Sequence, residues 1–196
     1  MIFDKRFLLG IGLVASFIPG TLAGPVDDDL VQEARRNNFE AVKNLITQNS
    51  ANVNHAKCGE TALDQASYNG NFEMVKFLVA NGADVNHDFE GCGPLISASS
   101  ANNLEIVKFL VARDADVNRA NEHGYTALIM AAKRNDLEMA KFLVENGANL
   151  LHVDNYGNTA LSYVSRGEFV DNYRHTAESD ATQSALISFL QGAMRN

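Results

Sequence analysis

Five histidines and two cysteines are the side chains of this 196-residue sequence best suited to proton transfer, metal binding or nucleophilic attack. His55, His87, His123, His152 and His175 are scattered, and no Ser-His-Asp order, paired carboxylates or metal-ligand spacing accompanies them. His55, His87 and His152 each follow Val-Asn or its counterpart in a recurring phrase, which predicts exposed loop residues. The alternative use is a pH-sensitive contact, because imidazole changes charge in mildly acid surroundings. Cys58 and Cys92 stand beside Gly59 and Gly91, and no motif places a histidine to activate either thiol. The run Asp27-Asp28-Asp29 reads as a solvated linker that also puts favourable charge at the start of a helix, not as a calcium site. Each Gly-x-Thr is a turn element and not a phosphate cradle. The expectation is no catalytic residue, no metal and no cofactor.

What positions these residues is a repeat. Gly59-Glu60-Thr61-Ala62-Leu63 recurs as Gly91-Cys92-Gly93-Pro94-Leu95, Gly124-Tyr125-Thr126-Ala127-Leu128 and Gly157-Asn158-Thr159-Ala160-Leu161, the leucines 32, 33 and 33 residues apart. A fixed period of this size marks stacked units, each unable to bury its apolar face alone. In step with it run Phe72-Glu73-Met74-Val75-Lys76-Phe77-Leu78-Val79 and its copies at 104–111 and 137–144, which predict a helix with one buried side. Asn81-Gly82-Ala83-Asp84-Val85-Asn86 and its copies end that helix. Gly82 and Gly147 suit a left-handed closing residue, and Asp114 in the middle copy must adopt that conformation with a side chain.

Gly-x-Thr-Ala-Leu, Glu-x-Val-Lys-Phe-Leu and Asn-Gly-Ala-Asp-Val-Asn, in this order and at this period, resemble the ankyrin repeat. The resemblance implies an all-α solenoid of stacked helix pairs with short β-hairpin fingers, about five repeats including atypical caps. The boundaries read as 1–23 signal peptide, 24–28 acidic linker and 29–190 repeat domain, divided at 29–55, 56–87, 88–120, 121–153 and 154–190. Compared with the spacing from Leu128 to Phe142, the last unit holds about fourteen extra residues near 169–182. The family usually has His just after the Leu of the first phrase. Here Asp64, Ile96, Ile129 and Ser162 stand there, so the usual bonds between neighbouring loops are in question. The expected core is Leu63, Ala66, Val75, Leu78, Leu95, Ala98, Val107, Leu110, Leu128, Ala131, Ala132, Leu143 and Leu161. A Cys58–Cys92 disulfide needs Cα atoms within about 7 Å. Equivalent points on stacked repeats lie roughly 10 Å apart, so the offset between the two positions decides it.

Lys5 and Arg6 precede the apolar run from Phe7 to Ile18, which Pro19-Gly20 breaks before Thr21-Leu22-Ala23. These are the parts of a secretory signal with cleavage after Ala23, and no segment is long enough to span a bilayer. Asn-x-Ser/Thr acceptors are missing despite many asparagines, which fits a bacterial periplasm better than a eukaryotic secretory route. The formal charge of −8 becomes one unit more negative without the leader and argues against binding nucleic acid or anionic membrane.

In such arrays the fingers and first helices line the concave side. The residues there with interface character are Tyr68, Phe89, His123, Tyr125, Lys133, Arg134, Tyr156 and Arg166, aromatics and cations that commonly dominate binding energy. The reading is an exported scaffold, monomeric when unbound and without catalytic activity, that binds another protein of the cell envelope in the periplasm. The resemblance to small exported bacterial proteins of this type implies an envelope enzyme restrained or guarded against. The alternatives are an accessory factor for a periplasmic catalase and a secreted effector that binds a host protein.

Overall fold

The computed structural model describes residues 25–87, 93–169 and 177–195. Among the described residues ten helices form five pairs: α1 (Pro25–Arg35) with α2 (Phe39–Thr47), α3 (Ala62–Tyr68) with α4 (Phe72–Ala80), α5 (Gly93–Ser100) with α6 (Leu104–Val111), α7 (Ala127–Lys133) with α8 (Leu137–Glu145), and α9 (Ala160–Arg166) with α10 (Ala177–Ala193). One hairpin pairs β1 (Ala56–Lys57) antiparallel with β2 (Glu60–Thr61). Cys58 and Gly59 at its tip both have positive φ, 53° and 78°, as a two-residue turn between twisted strands requires.

Local chemistry sets the helix boundaries. Thr61, Thr126 and Thr159 cap α3, α7 and α9 by accepting from the backbone N–H three residues on, which satisfies a donor the helix cannot. Asn38, Asn71 and Asp136 do the same for α2, α4 and α8. Asn103 precedes α6 but leaves it uncapped, because its amide instead reaches back to donate to Ser67 O at 2.8 Å. Asp114 sits at φ 63°, where the equivalent Gly82 and Gly147 have 89° and 88°.

Each odd-numbered helix from α1 to α9 packs against the next, whereas the outer helices α2 to α8 touch one another far less, and only α10 packs closely on its outer neighbour α8. Size explains the difference. Ala62, Ala66, Ala98, Ala127, Ala131, Ala132 and Ala160 let the inner helices approach closely. Outside, Phe39 meets Phe77 edge-on at 5.6 Å and Phe72 meets Phe109 at 5.4 Å, which wedges the outer helices apart. An array tight on one side and splayed on the other bends toward the tight side, so the inner helices form the concave face.

The expected core is buried except at its end. Leu161 is half-buried, unlike its counterpart Leu128 at 1% exposure, because no inner helix follows α9 among the described residues. Residues read as an acidic linker are, from Pro25 onward, the first turn of α1. Proline there lacks only an N–H that the first turn leaves unused. Of the extra residues in the last unit, 170–176 lie outside the described residues. From Ala177 the chain is helical, and α10 packs on α8 and α9 and ends at Ala193, past the expected boundary of 190.

Replacing Leu128 by Ala should cost about 2–5 kcal/mol in urea unfolding, since a cavity opens between stacked units. Asp114→Gly should raise stability by up to about 1 kcal/mol by relieving the left-handed side chain. A lower urea midpoint for Asp114→Gly would show that the aspartate is unstrained.

Candidate concave binding face

At the first three junctions one asparagine holds the closing turn of the next unit. Asn54 donates from Nδ2 to Gly82 O at 3.0 Å and accepts at Oδ1 from Asp84 N–H at 2.8 Å. Asn86 does the same with Asp114 O and Asp116 N–H, and Asn118 with Gly147 O and Asn149 N–H. A primary amide is the one short side chain that offers a donor and an acceptor side by side, and here it holds both polar groups of the next turn.

His55, His87 and His152 are not the exposed loop residues expected from sequence. His87 is buried, with Nε2 2.8 Å from Asp64 Oδ2 at the start of the same unit. His55 lies 2.9 Å from Asp28 Oδ1, and His152 places Nε2 2.9 Å from Gly124 O. Each imidazole reaches back from the loop that ends a unit to the beginning of that unit, an arrangement that period alone does not reveal. At Asp64 the carboxylate stands where the family has His, and the imidazole comes from the loop that closes the same repeat. The lysine of β1 joins the first of these contacts, Lys57 Nζ lying 3.1 Å from Asp28 Oδ2. Hydrogen bonds from His55 and then Lys57 hold the Asp28 carboxyl below its ordinary range.

Fingers also touch one another. Asn155 N–H donates to His123 O at 3.1 Å and Asn155 Nδ2 donates to Glu122 O at 2.7 Å. At Gly124 a Cβ would stand 2.8 Å from Asn155 N, so this contact excludes any side chain. Asn121 and Asp154 shape their loops from within: Asn121 Oδ1 accepts from His123 and Tyr125 N–H, and Asp154 Oδ1 from Tyr156 and Asn158 N–H.

Tyr125, Tyr156, His123 and Lys133 come together toward the end of the inner face. Tyr125 is half-buried at the centre, 6.2 Å from Tyr156 and 5.9 Å from His123 between ring centroids. Lys133 Nζ stands 4.3 Å from the Tyr125 ring centre and 4.8 Å from that of Tyr163, within range of cation–π attraction. Tyr163 was not among the expected residues, yet it anchors the group by donating from its hydroxyl to Asp154 Oδ2 at 2.7 Å. Its register offers the only signal, an aromatic where earlier units carry Gln65, Ser97 and Met130. Tyr156 remains 65% exposed.

The other expected residues are spread along the same face. Tyr68, Ser100, Lys133 and Arg166 hold one register on successive inner helices, with Arg35 on α1 before them. Tyr68 is 57% exposed; Arg166 is exposed, 3.6 Å from Glu168; Arg134 is half-buried at the end of α7. Phe89 and Cys92 lie outside the described residues. Cys58 is a free, exposed thiol at the hairpin tip.

Burial, and then the bond to Asp154, push the Tyr163 phenol above its ordinary value, so it stays a donor. For Asp154, burial alone would raise the carboxyl, but the bonds from Tyr163, Asn158 and Tyr156, with Lys133 nearby, outweigh it and lower the value. Among the described residues no group of three or more His, Cys, Asp or Glu is placed to hold a metal ion, and no helix is long and apolar enough to cross a membrane.

Stacked helix pairs with interlocked fingers and one exposed aromatic and cationic inner face define a repeat solenoid built for recognition. Residues 30–121 match the family model for ankyrin repeats in three copies, and residues 110–164 the model for ankyrin repeats in many copies. The chain belongs to the ankyrin-repeat family, whose arrays act as protein–protein interaction modules and are typically non-catalytic. No curated protein matches the chain significantly.

A carboxyl whose folded value is depressed adds stability above its unfolded value, about 3.9, and that stability is lost as pH falls through the folded value. Asp154→Asn should therefore shrink the loss of stability as pH falls below about 4, followed by urea midpoints at decreasing pH. Tyr163→Phe should cost about 1–3 kcal/mol at neutral pH by orphaning Asp154 Oδ2. An acid profile for Asp154→Asn that overlays the wild type would refute the assignment.

Proposed function

We propose that the protein is an exported binding module that holds a partner protein of the cell envelope along its inner face, and that it restrains or guards against an enzyme there. The observation that carries this reading is the aromatic and cationic patch on α7, α9 and their fingers. Tyr156 is left largely bare, Lys133 is held between two rings, and Tyr125 and Tyr163 are locked beneath. Rigid tyrosines already fixed by their neighbours lose little entropy on docking, which suits them to dominate an interface. Export is supported by the leader-like residues Lys5 to Ala23, with the periplasm as destination. The chain is read as a monomer when unbound, because the patch faces the hollow of the array.

Immobilised full-length protein lacking only its leader should capture a partner from envelope extract, identified by mass spectrometry. Tyr156→Ala combined with Lys133→Ala should weaken that complex about tenfold or more, while Glu73→Ala on the outer face should leave it unchanged. Equal binding by the double variant would remove the proposed face. Cell fractionation tests the compartment: processed protein in the periplasm supports the reading, whereas protein in the culture fluid favours an effector that acts on a host.

A further inference from the structure

The other half of the inner face holds a groove of about 350 Å³ between the ends of α1, α3 and α5. Its walls include Arg35, Glu60, Asp64, Gln65, Tyr68 and Ser97. Two features are left unfinished by the fold. Asp64 is buried, and although its Oδ2 accepts from Thr61 N–H and Thr61 Oγ1 and contacts His87, its Oδ1 has no hydrogen-bond partner. The Tyr68 side chain has no ring or hydrogen-bond partner among the described residues, and Tyr68 keeps more than half of its surface exposed.

An unsatisfied carboxylate oxygen calls for a donor, and an exposed phenol ring calls for a flat or cationic group to lie on it. A guanidinium meets both needs at once, because its N–H groups form a planar fork and its faces stack on aromatic rings. The groove already shows how such a group sits: Arg35 Nη2 lies 2.7 Å from Glu60 Oε2, an oxygen that also accepts from Gln65 Nε2 at 2.7 Å. That pair is partly solvent-exposed, 48% and 37% for the two side chains, so the arginine can swing aside. Arg35, Glu60 and Asp64 together leave the groove one negative charge in excess, in a chain of formal charge −8, which draws a cation in.

We propose that this groove receives an arginine side chain of the partner protein, with Glu60 and Asp64 facing its guanidinium and Tyr68 stacking on it. The proposal rests on the inner face being the docking surface and adds the chemistry that its first half selects. Arg35 is then an internal stand-in that the partner's arginine displaces.

The probe is Nα-acetyl-arginine amide titrated into the isotopically labelled full chain and followed by backbone amide shifts, with the neutral isostere Nα-acetyl-citrulline amide as control. Shifts should gather at Gln65, Tyr68, Asn69, Ser97 and Ser100, and citrulline should bind about tenfold more weakly. Glu60→Gln and Tyr68→Ala should each reduce arginine binding, and both sites are exposed enough to leave the fold intact. Arg35→Ala should tighten it, by up to roughly fivefold, because the internal competitor is gone. Equal binding of citrulline or of Nα-acetyl-lysine amide would overturn the assignment, as would shifts scattered over Glu73 and Glu138 or no gain in Arg35→Ala. If the groove ignores arginine while partner capture still depends on Tyr156, the arginine site falls and the docking reading stands.

Discussion

No unit of this chain can close its own core or satisfy its own turn. Asn54, Asn86 and Asn118 each complete the backbone of the following unit with paired bonds through one amide. The small residues of the inner helices bury their surfaces only against the next helix in the row. Stability therefore resides in the junctions between units. Fingers, caps and the concave surface hold their places because those junctions do.

That constraint divides the surface by role. Polar side chains on the turns and fingers are consumed in holding the stack together, and His55, His87 and His152 each tie the loop that ends a unit back to that unit's beginning. The outer helices carry Glu40, Glu73 and Glu138, each paired with a lysine three residues on, and these exposed pairs do little beyond keeping the convex side solvated. The inner row keeps large side chains that the stack does not use, and Leu151 and Val153 are likewise exposed on the loop before α9. Tyr68 and Tyr156 stand at its two ends, with Lys133 and Arg166 in the same register as Tyr68. Packing makes few demands on that face.

Much of the candidate face was legible because it follows the period. Once Leu63, Leu95, Leu128 and Leu161 fix the frame, Tyr68, Lys133 and Arg166 fall on one line, and Tyr125 and Tyr156 fall on adjoining fingers. Tyr163 and Asp154 escaped notice because their partnership runs between a loop and a helix nine residues on, and no repeat of it occurs in the other units. The histidines were misjudged for a related reason. Their regular placement was plain, but Asp28, Asp64 and Gly124 O lie 23 to 28 residues earlier, and only stacking brings them near.

By itself the sequence determined the repeat length, the helix pairs, their caps and the left-handed positions at Gly82, Asp114 and Gly147, since all of these depend on residues within a few positions of one another. It also determined the family and the identity of most of the core. Tertiary structure alone decided which polar groups are spent between units and which remain free. It joined Asp64 to His87 while leaving Asp64 Oδ1 unsatisfied, placed Lys133 between Tyr125 and Tyr163, and opened a groove beside Tyr68. Such pairings depend on the exact offset between successive units, a distance set by how closely alanines on facing helices approach, and no local pattern of residues encodes it.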